Sequence, residues 1–142
     1  IDGIGTNRLH ITSPGWAALR GADYTMGPDH VEVASFMALA AVTRSALTIA
    51  DAGVAHLAST RMGFAKLGLE TEVRGDDLVI PPQGPLRVRD DLGGHVPTLG
   101  DQPWPMFPAD SLSVAVVAAT QAAGTVLIHS RMFESRLFFT DK

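Results

Sequence analysis

The stretch 100–142, GDQPWPMFPADSLSVAVVAATQAAGTVLIHSRMFESRLFFTDK, constrains this chain most. Pro103, Pro105 and Pro108 stiffen the loop before Asp110, because each fixes its own φ and restricts its neighbour. Asp110 then stands where a helix must begin. Residues Ser111 to Ala122 are small or apolar on nearly every face, and a helix apolar all round is a buried one. A carboxylate is thus expected at the mouth of a buried helix, behind a rigid loop. After Gly124 the β-branched run 125–128 reads as a strand. Met132-Phe133-Glu134-Ser135-Arg136 reads as the start of a second helix carrying a cation.

Gly5-Thr6-Asn7 and the alternation in 8–11 predict a hairpin tip and strand, broken at Ser13-Pro14-Gly15. Residues 21–26 are a short strand candidate. Asp29 follows Pro28 and has Glu32 three residues on, a capping-box spacing. A largely buried helix follows, with Val31, Phe36, Met37, Leu39, Ala40 and Val42 as its apolar positions. Leu47-Thr48-Ile49 is a strand. A helix over 53–68 closes near Gly68. Residues 69–74 and 78–80 form a hairpin across Gly75-Asp76-Asp77. Pro81 to Pro85 is a loop, and Leu86-Arg87-Val88 suits an edge. Residues 95–99 form the next strand.

The order strand, helix, strand, helix, strand, strand then begins again. Pro28-Asp29 and Pro108-Ala109-Asp110 each precede an apolar helix, and strands 46–49 and 125–128 follow at similar intervals. Two βαβαββ units are therefore expected, the second cut short. Such alternation predicts α/β layering with parallel neighbours. Unit one covers about 21–90 and unit two about 95–142, with 1–20 a hairpin at the end of a neighbouring domain. The chain starts at Ile1 and reaches Lys142 inside an expected helix, so it reads as a piece of a longer protein.

Composition narrows the functional classes. With 46% hydrophobic and 18% charged residues the chain is globular. A net charge of -4 points to neither nucleic acid nor a membrane surface as partner. Arg87 and Arg89 are answered at once by Asp90 and Asp91. There is no Cys, hence no disulfide frame or thiolate metal site. His10, His30, His56, His95 and His129 lack metal-ligand spacing and read as solvated or core. Gly3-Ile4-Gly5 lacks a dinucleotide loop's third glycine. Trp16, Trp104 and the phenylalanines read as core or loop anchors. No metal and no cofactor is expected.

Several separated motifs resemble one family in its own order. PWPMFPAD, GTVLIHS and MFESRLFF are similar to its proline-aromatic-proline loop with FP-x-D, its Gly-Thr strand and its FE-x-R-F. GPDHVEVASFMALAAVTRSALTI is similar to its PD-x-IE-x-G-T/S-F segment. The family is the UDP-N-acetylglucosamine 1-carboxyvinyltransferases, the enolpyruvyl transferases that open peptidoglycan synthesis, and the resemblance covers only the middle portion of such an enzyme. It implies repeated βαβαββ units of an inside-out α/β barrel, three to a domain, in two domains around a cleft.

The same resemblance implies roles for four residues. Asp110 would contact the sugar hydroxyl that becomes the ether and act as candidate proton acceptor. Its plain alternative is an N-cap. Arg136 would steady an anionic enolpyruvyl carboxylate or phosphate, against the plain reading of a solvated Arg or a pair with Glu134. The Met132 backbone would contact the nucleotide-sugar. Asp29 would take part in binding or closure, with capping as the competing reading. The family often has Arg after this Asp, where this chain has His30, and Leu137 replaces a Phe. The mobile Cys loop and the other catalytic cations of the family are not in this chain.

The implied parent is a bacterial, cytoplasmic enzyme. It would transfer the enolpyruvyl group of phosphoenolpyruvate to the 3′-hydroxyl of UDP-N-acetylglucosamine, and its partners would be these two substrates and the remainder of the same enzyme. The isolated piece is expected to be inactive. Two readings compete: a shikimate-pathway enolpyruvyl transferase of the same fold, and a non-catalytic paralogue binding a sugar nucleotide or a protein.

Overall fold

In the computed structural model, residues 1–141 are described. Lys142, where the sequence predicts a running helix, lies outside the described residues. The elements are α1 (His30–Thr43), β1 (Leu47–Ile49), α2 (Ala58–Lys66), β2 (Glu72–Arg74), β3 (Asp77–Ile80), β4 (Thr98–Gly100), α3 (Leu112–Ala119) and β5 (Leu127–His129). The mixture is α/β, as the pattern of the sequence predicts.

Helix α1 starts one residue after Asp29, whose Oδ1 accepts from the Val31 and Glu32 N–H groups at 2.8 and 3.4 Å. It ends on Arg44 in the left-handed region, with Ser45 N–H reaching the Ala40 carbonyl at 3.0 Å. Its buried stripe is Val33, Ala34, Met37, Ala38, Ala40 and Ala41, while Phe36 and Leu39 are exposed. The expectation of a largely buried helix is corrected there. The small side chains face inward because they let α1 approach α3, which presents Leu112, Ala115 and Ala118 at helical spacing. Val117, on the other side of α3, is half exposed.

Helix α2 closes on Gly68 at φ 94°, where Leu69 N–H bonds to the Phe64 carbonyl at 3.1 Å and Gly68 N–H to Ala65 at 3.0 Å. The left-handed C′ residue and the buried Phe64 and Leu69 make a Schellman end. A side chain at Gly68 would also meet the Arg87 carbonyl at 2.4 Å.

The first sheet has order β1-β3-β2 and is antiparallel throughout. The hairpin expected across Gly75-Asp76 forms between β2 and β3, since only antiparallel strands can be joined so tightly. The parallel expectation is corrected for β1, because the returning hairpin strand β3 lies between β1 and β2 and pairs with β1 antiparallel. The turn also anchors the approach to α2. Asp76 Oδ1 accepts from Val54 N–H at 3.0 Å, and Asp77 Oδ1 from Asp51 N–H at 2.9 Å. Strands β4 and β5 are parallel, registered Thr98 to Leu127 and Gly100 to His129. Arg87 bridges Ala123 in parallel beside them.

Three expected elements are absent. Residues 21–26 form no strand, for Tyr24 and Met26 are exposed and no neighbouring strand takes their backbone groups. Residues 8–11 contribute only the single Asp2–His10 bridge, and Thr6 Oγ1 closes the turn onto the Gly3 and Arg8 carbonyls at 2.7 and 2.9 Å. No helix starts at Met132. The segment is a turn with Ser135 at φ 65°, followed by a 3-10 turn at Phe138–Asp141.

Candidate functional site

The proline loop is held by its one deeply set aromatic. Phe107 is 5% exposed and tilts against Phe64 of α2, with ring centroids 6.4 Å apart. It occupies the space left by Gly63: a Cβ there would lie 2.4 Å from two of its ring carbons. Gln102 N–H closes the loop onto the Phe107 carbonyl at 3.2 Å. The Trp104–Pro105 peptide is cis.

Leaving this loop, the chain makes a 3-10 turn at Ala109–Ser111 before α3 begins at Leu112. Asp110 lies inside that turn and its side chain makes no capping hydrogen bond. The N-cap alternative is thereby set aside for Asp110, and the carboxylate is free for another partner. That partner is Arg136, whose Nη2 donates to Asp110 Oδ1 at 2.9 Å. The guanidinium carbon also sits 4.7 Å from the Phe133 ring centroid. Stacking on an aromatic face and pairing with a carboxylate use the two recognition modes of a planar guanidinium. The expected alternative pair with Glu134 does not form.

A cleft of about 500 Å³ opens beside this pair, lined among others by Asp110, Met132, Phe133, Trp104, His30 and His56. Of the four residues singled out in the sequence, Asp110 and Met132 line the cleft and Arg136 is paired at its edge. Asp29 caps α1 through its Oδ1, and its neighbour His30 lines the cleft.

Lining residues to which the sequence gives no site role include His30, His56 and Trp104. His30 and His56, which the sequence reads as solvated or core, are both exposed, and both border the cleft. Trp104 read as an anchor, yet it is 57% exposed, and Trp16 is 90% exposed. Phe107, one of the phenylalanines read as anchors, does the anchoring. The signal for His30 was its place directly after Asp29; for His56 and Trp104 nothing local distinguished them. Among the described residues no three His, Asp or Glu side chains gather as metal ligands, and no helix is long and apolar enough to cross a membrane.

No family model matches the chain. Individual proteins do. All 142 residues align, at 56% identity, with a UDP-N-acetylglucosamine 1-carboxyvinyltransferase of Bradyrhizobium diazoefficiens, covering 32% of it. Proteins of the same name from Treponema denticola and Bacteroides fragilis are each 46% identical over all 142 residues, covering 33% and 32% of their lengths. The chain is thus homologous over its whole length to such proteins and spans about a third of each.

Proposed function

We propose that this chain, matched from end to end by about a third of each of these relatives, is part of a UDP-N-acetylglucosamine 1-carboxyvinyltransferase. The complete polypeptide would move the enolpyruvyl group of phosphoenolpyruvate to the 3′-hydroxyl of UDP-N-acetylglucosamine and release phosphate. That is the first committed step of peptidoglycan synthesis, in the cytoplasm of a bacterium. The observation that carries the reading is the 2.9 Å pair between Asp110 and Arg136 at the edge of the cleft. It joins two motifs 26 residues apart, and both belong to the motif set on which the resemblance rests.

In this reading Asp110 accepts the proton of the attacking sugar hydroxyl. Its Oδ1 is held by Arg136, and among the described residues Oδ2 makes no hydrogen bond and is available to the hydroxyl. A base must lie within hydrogen-bond reach of the proton it removes, and an exposed carboxylate oriented by one fixed cation meets that need. Arg136 keeps further donors with which to steady an anionic carboxylate or phosphate as charge develops. The Met132 backbone lies where the nucleotide-sugar would pass, and Asp29 serves the same cleft by holding the first turn of α1.

The repeated unit belongs to this proposal as well. Helices α1 and α3 both open beside a Pro-Asp segment, pack on one another and lead into β1 and β5. This supports two related units, about 21–90 and 95–142, of an inside-out α/β barrel domain, with 1–20 belonging to a neighbouring domain.

The test is phosphate release by the complete polypeptide supplied with phosphoenolpyruvate and UDP-N-acetylglucosamine. Turnover is expected with this pair and none when shikimate 3-phosphate replaces the nucleotide-sugar. The isolated 142-residue chain is expected to release no phosphate above blank. Absence of turnover by the complete polypeptide, with binding of the nucleotide-sugar retained, would favour a non-catalytic paralogue.

A further inference from the structure

We propose that Asp101 is the positioning residue of this site, a buried clamp that sets Met132 and Arg136 against Asp110; its part in turnover rests on the reading above. Asp101 follows β4 directly and is 0% exposed. A carboxylate withdrawn from water must be repaid by hydrogen bonds, and here the donors come from one place. Oδ1 accepts the Arg131 backbone N–H at 2.5 Å, and Oδ2 lies 3.3 Å from the Ser130 hydroxyl. Ser130 Oγ is also 3.3 Å from the Phe133 carbonyl, within reach of the segment it leads into.

The location gives the clamp its meaning. Gly100 and His129 are the last registered pair of the parallel strands β4 and β5. Past them the two chains diverge. One enters the proline loop that delivers Asp110; the other enters the turn that delivers Met132, Phe133 and Arg136. Asp101 ties the two branches together at the fork, where the backbone ladder has ended. The turn it holds is otherwise thinly secured, with residues 131–135 exposed and Ser135 in the left-handed region. Without the clamp, the Arg136 end of the pair loses its fixed starting point while the Asp110 end keeps its anchor at Phe107.

The test uses Asp101→Ala and Asp101→Asn in the complete polypeptide, alone and with Arg136→Ala. Asp101→Ala is expected to speed amide hydrogen exchange over residues 130–136. It is also expected to lower kcat/KM for UDP-N-acetylglucosamine by about ten- to a hundredfold, the scale of a small misplacement of a reacting group. Asp101→Asn should recover most of both, because an amide oxygen still accepts from the Arg131 N–H. The Asp101→Ala loss should largely vanish when Arg136 is already Ala, since residues acting through one another are not additive. A merely structural role predicts full additivity. Should Asp101→Ala fail to fold, Asp101→Ser is too short to span to Arg131 and carries the same readouts. Unchanged exchange over 130–136, or additive losses, overturns the clamp. If the unaltered polypeptide turns over nothing, the functional reading falls, and the exchange measurement still decides whether Asp101 holds the turn.

Discussion

Arg136 Nη2 lies 2.9 Å from Asp110 Oδ1, across 26 residues of chain. The two side chains differ in exposure, Arg136 at 24% and Asp110 at 67%. The cation is the settled partner, laid on Phe133, and the carboxylate reaches out from a 3-10 turn to meet it. This asymmetry suits a base that must be presented to a substrate and a cation that must stay in place.

Replacing Asp110 therefore separates chemistry from stability. In the complete polypeptide, Asp110→Ala and Asp110→Asn should each lower turnover by about two to four orders of magnitude, the range of a positioned proton acceptor. Neither should cost more than about 1 kcal/mol of stability, because an exposed ion pair contributes little and the side chain caps nothing. Steady-state rates and melting temperatures of both variants decide it; an Asn variant with a near-normal rate would remove Asp110 from the chemistry.

Asp29 should behave in the opposite way. Asp29→Ala loses the two N–H contacts at the start of α1 and should cost about 0.5–2 kcal/mol. Asp29→Asn should restore the stability, since Asn caps as well as Asp, and keep turnover within about tenfold, or 1.4 kcal/mol of barrier. A larger loss of rate in the Asn variant, at an unchanged melting temperature, would assign the carboxylate to the substrate.

Gly63→Ala reverses an ordinary rule. Inside a helix this change normally gains about 0.5–1 kcal/mol. Here the new Cβ would lie 2.4 Å from the Phe107 ring and 2.9 Å from Leu99 Cδ1, and overpacking of this kind costs about 1–3 kcal/mol. A lowered melting temperature is expected. Turnover should fall too, because Phe107 anchors the loop that carries Asp110. A raised melting temperature would mean that the ring yields without cost.

Arg44→Gly should stabilise. Arg44 sits at φ 54° and ψ 36° beyond α1, a conformation that costs a residue with a Cβ about 1–2 kcal/mol. Glycine avoids that strain but adds freedom to the unfolded chain, worth about 0.4–1 kcal/mol in the other direction. The denaturant midpoint should rise by the equivalent of up to about 1.6 kcal/mol. A fall in the midpoint would show that Arg44 makes a contact stronger than its backbone strain.

What the sequence determined by itself was local. Asp29 before an apolar run, Gly68 after one, and Gly75-Asp76 between β-branched runs each state their conformation through short-range hydrogen bonding or backbone sterics. The α/β class and the starts of α1 and α3 were legible for that reason, and so was the pairing of the proline loop with a following helix. The tertiary structure decided everything that depends on distant partners. Residues 21–26 carry the pattern of a strand but lack a neighbour to bond with. Met132 looks like a helix start, but its approach is pinned at Asp101 and the chain turns at Ser135. Asp110 and Asp29 look alike in sequence, yet one caps a helix and the other meets Arg136, because only the packed chain brings a guanidinium within reach of Asp110. Burial of Asp101 has no local signature at all, since it depends on a fork between two strands that are 27 residues apart from the end of β4 to the start of β5.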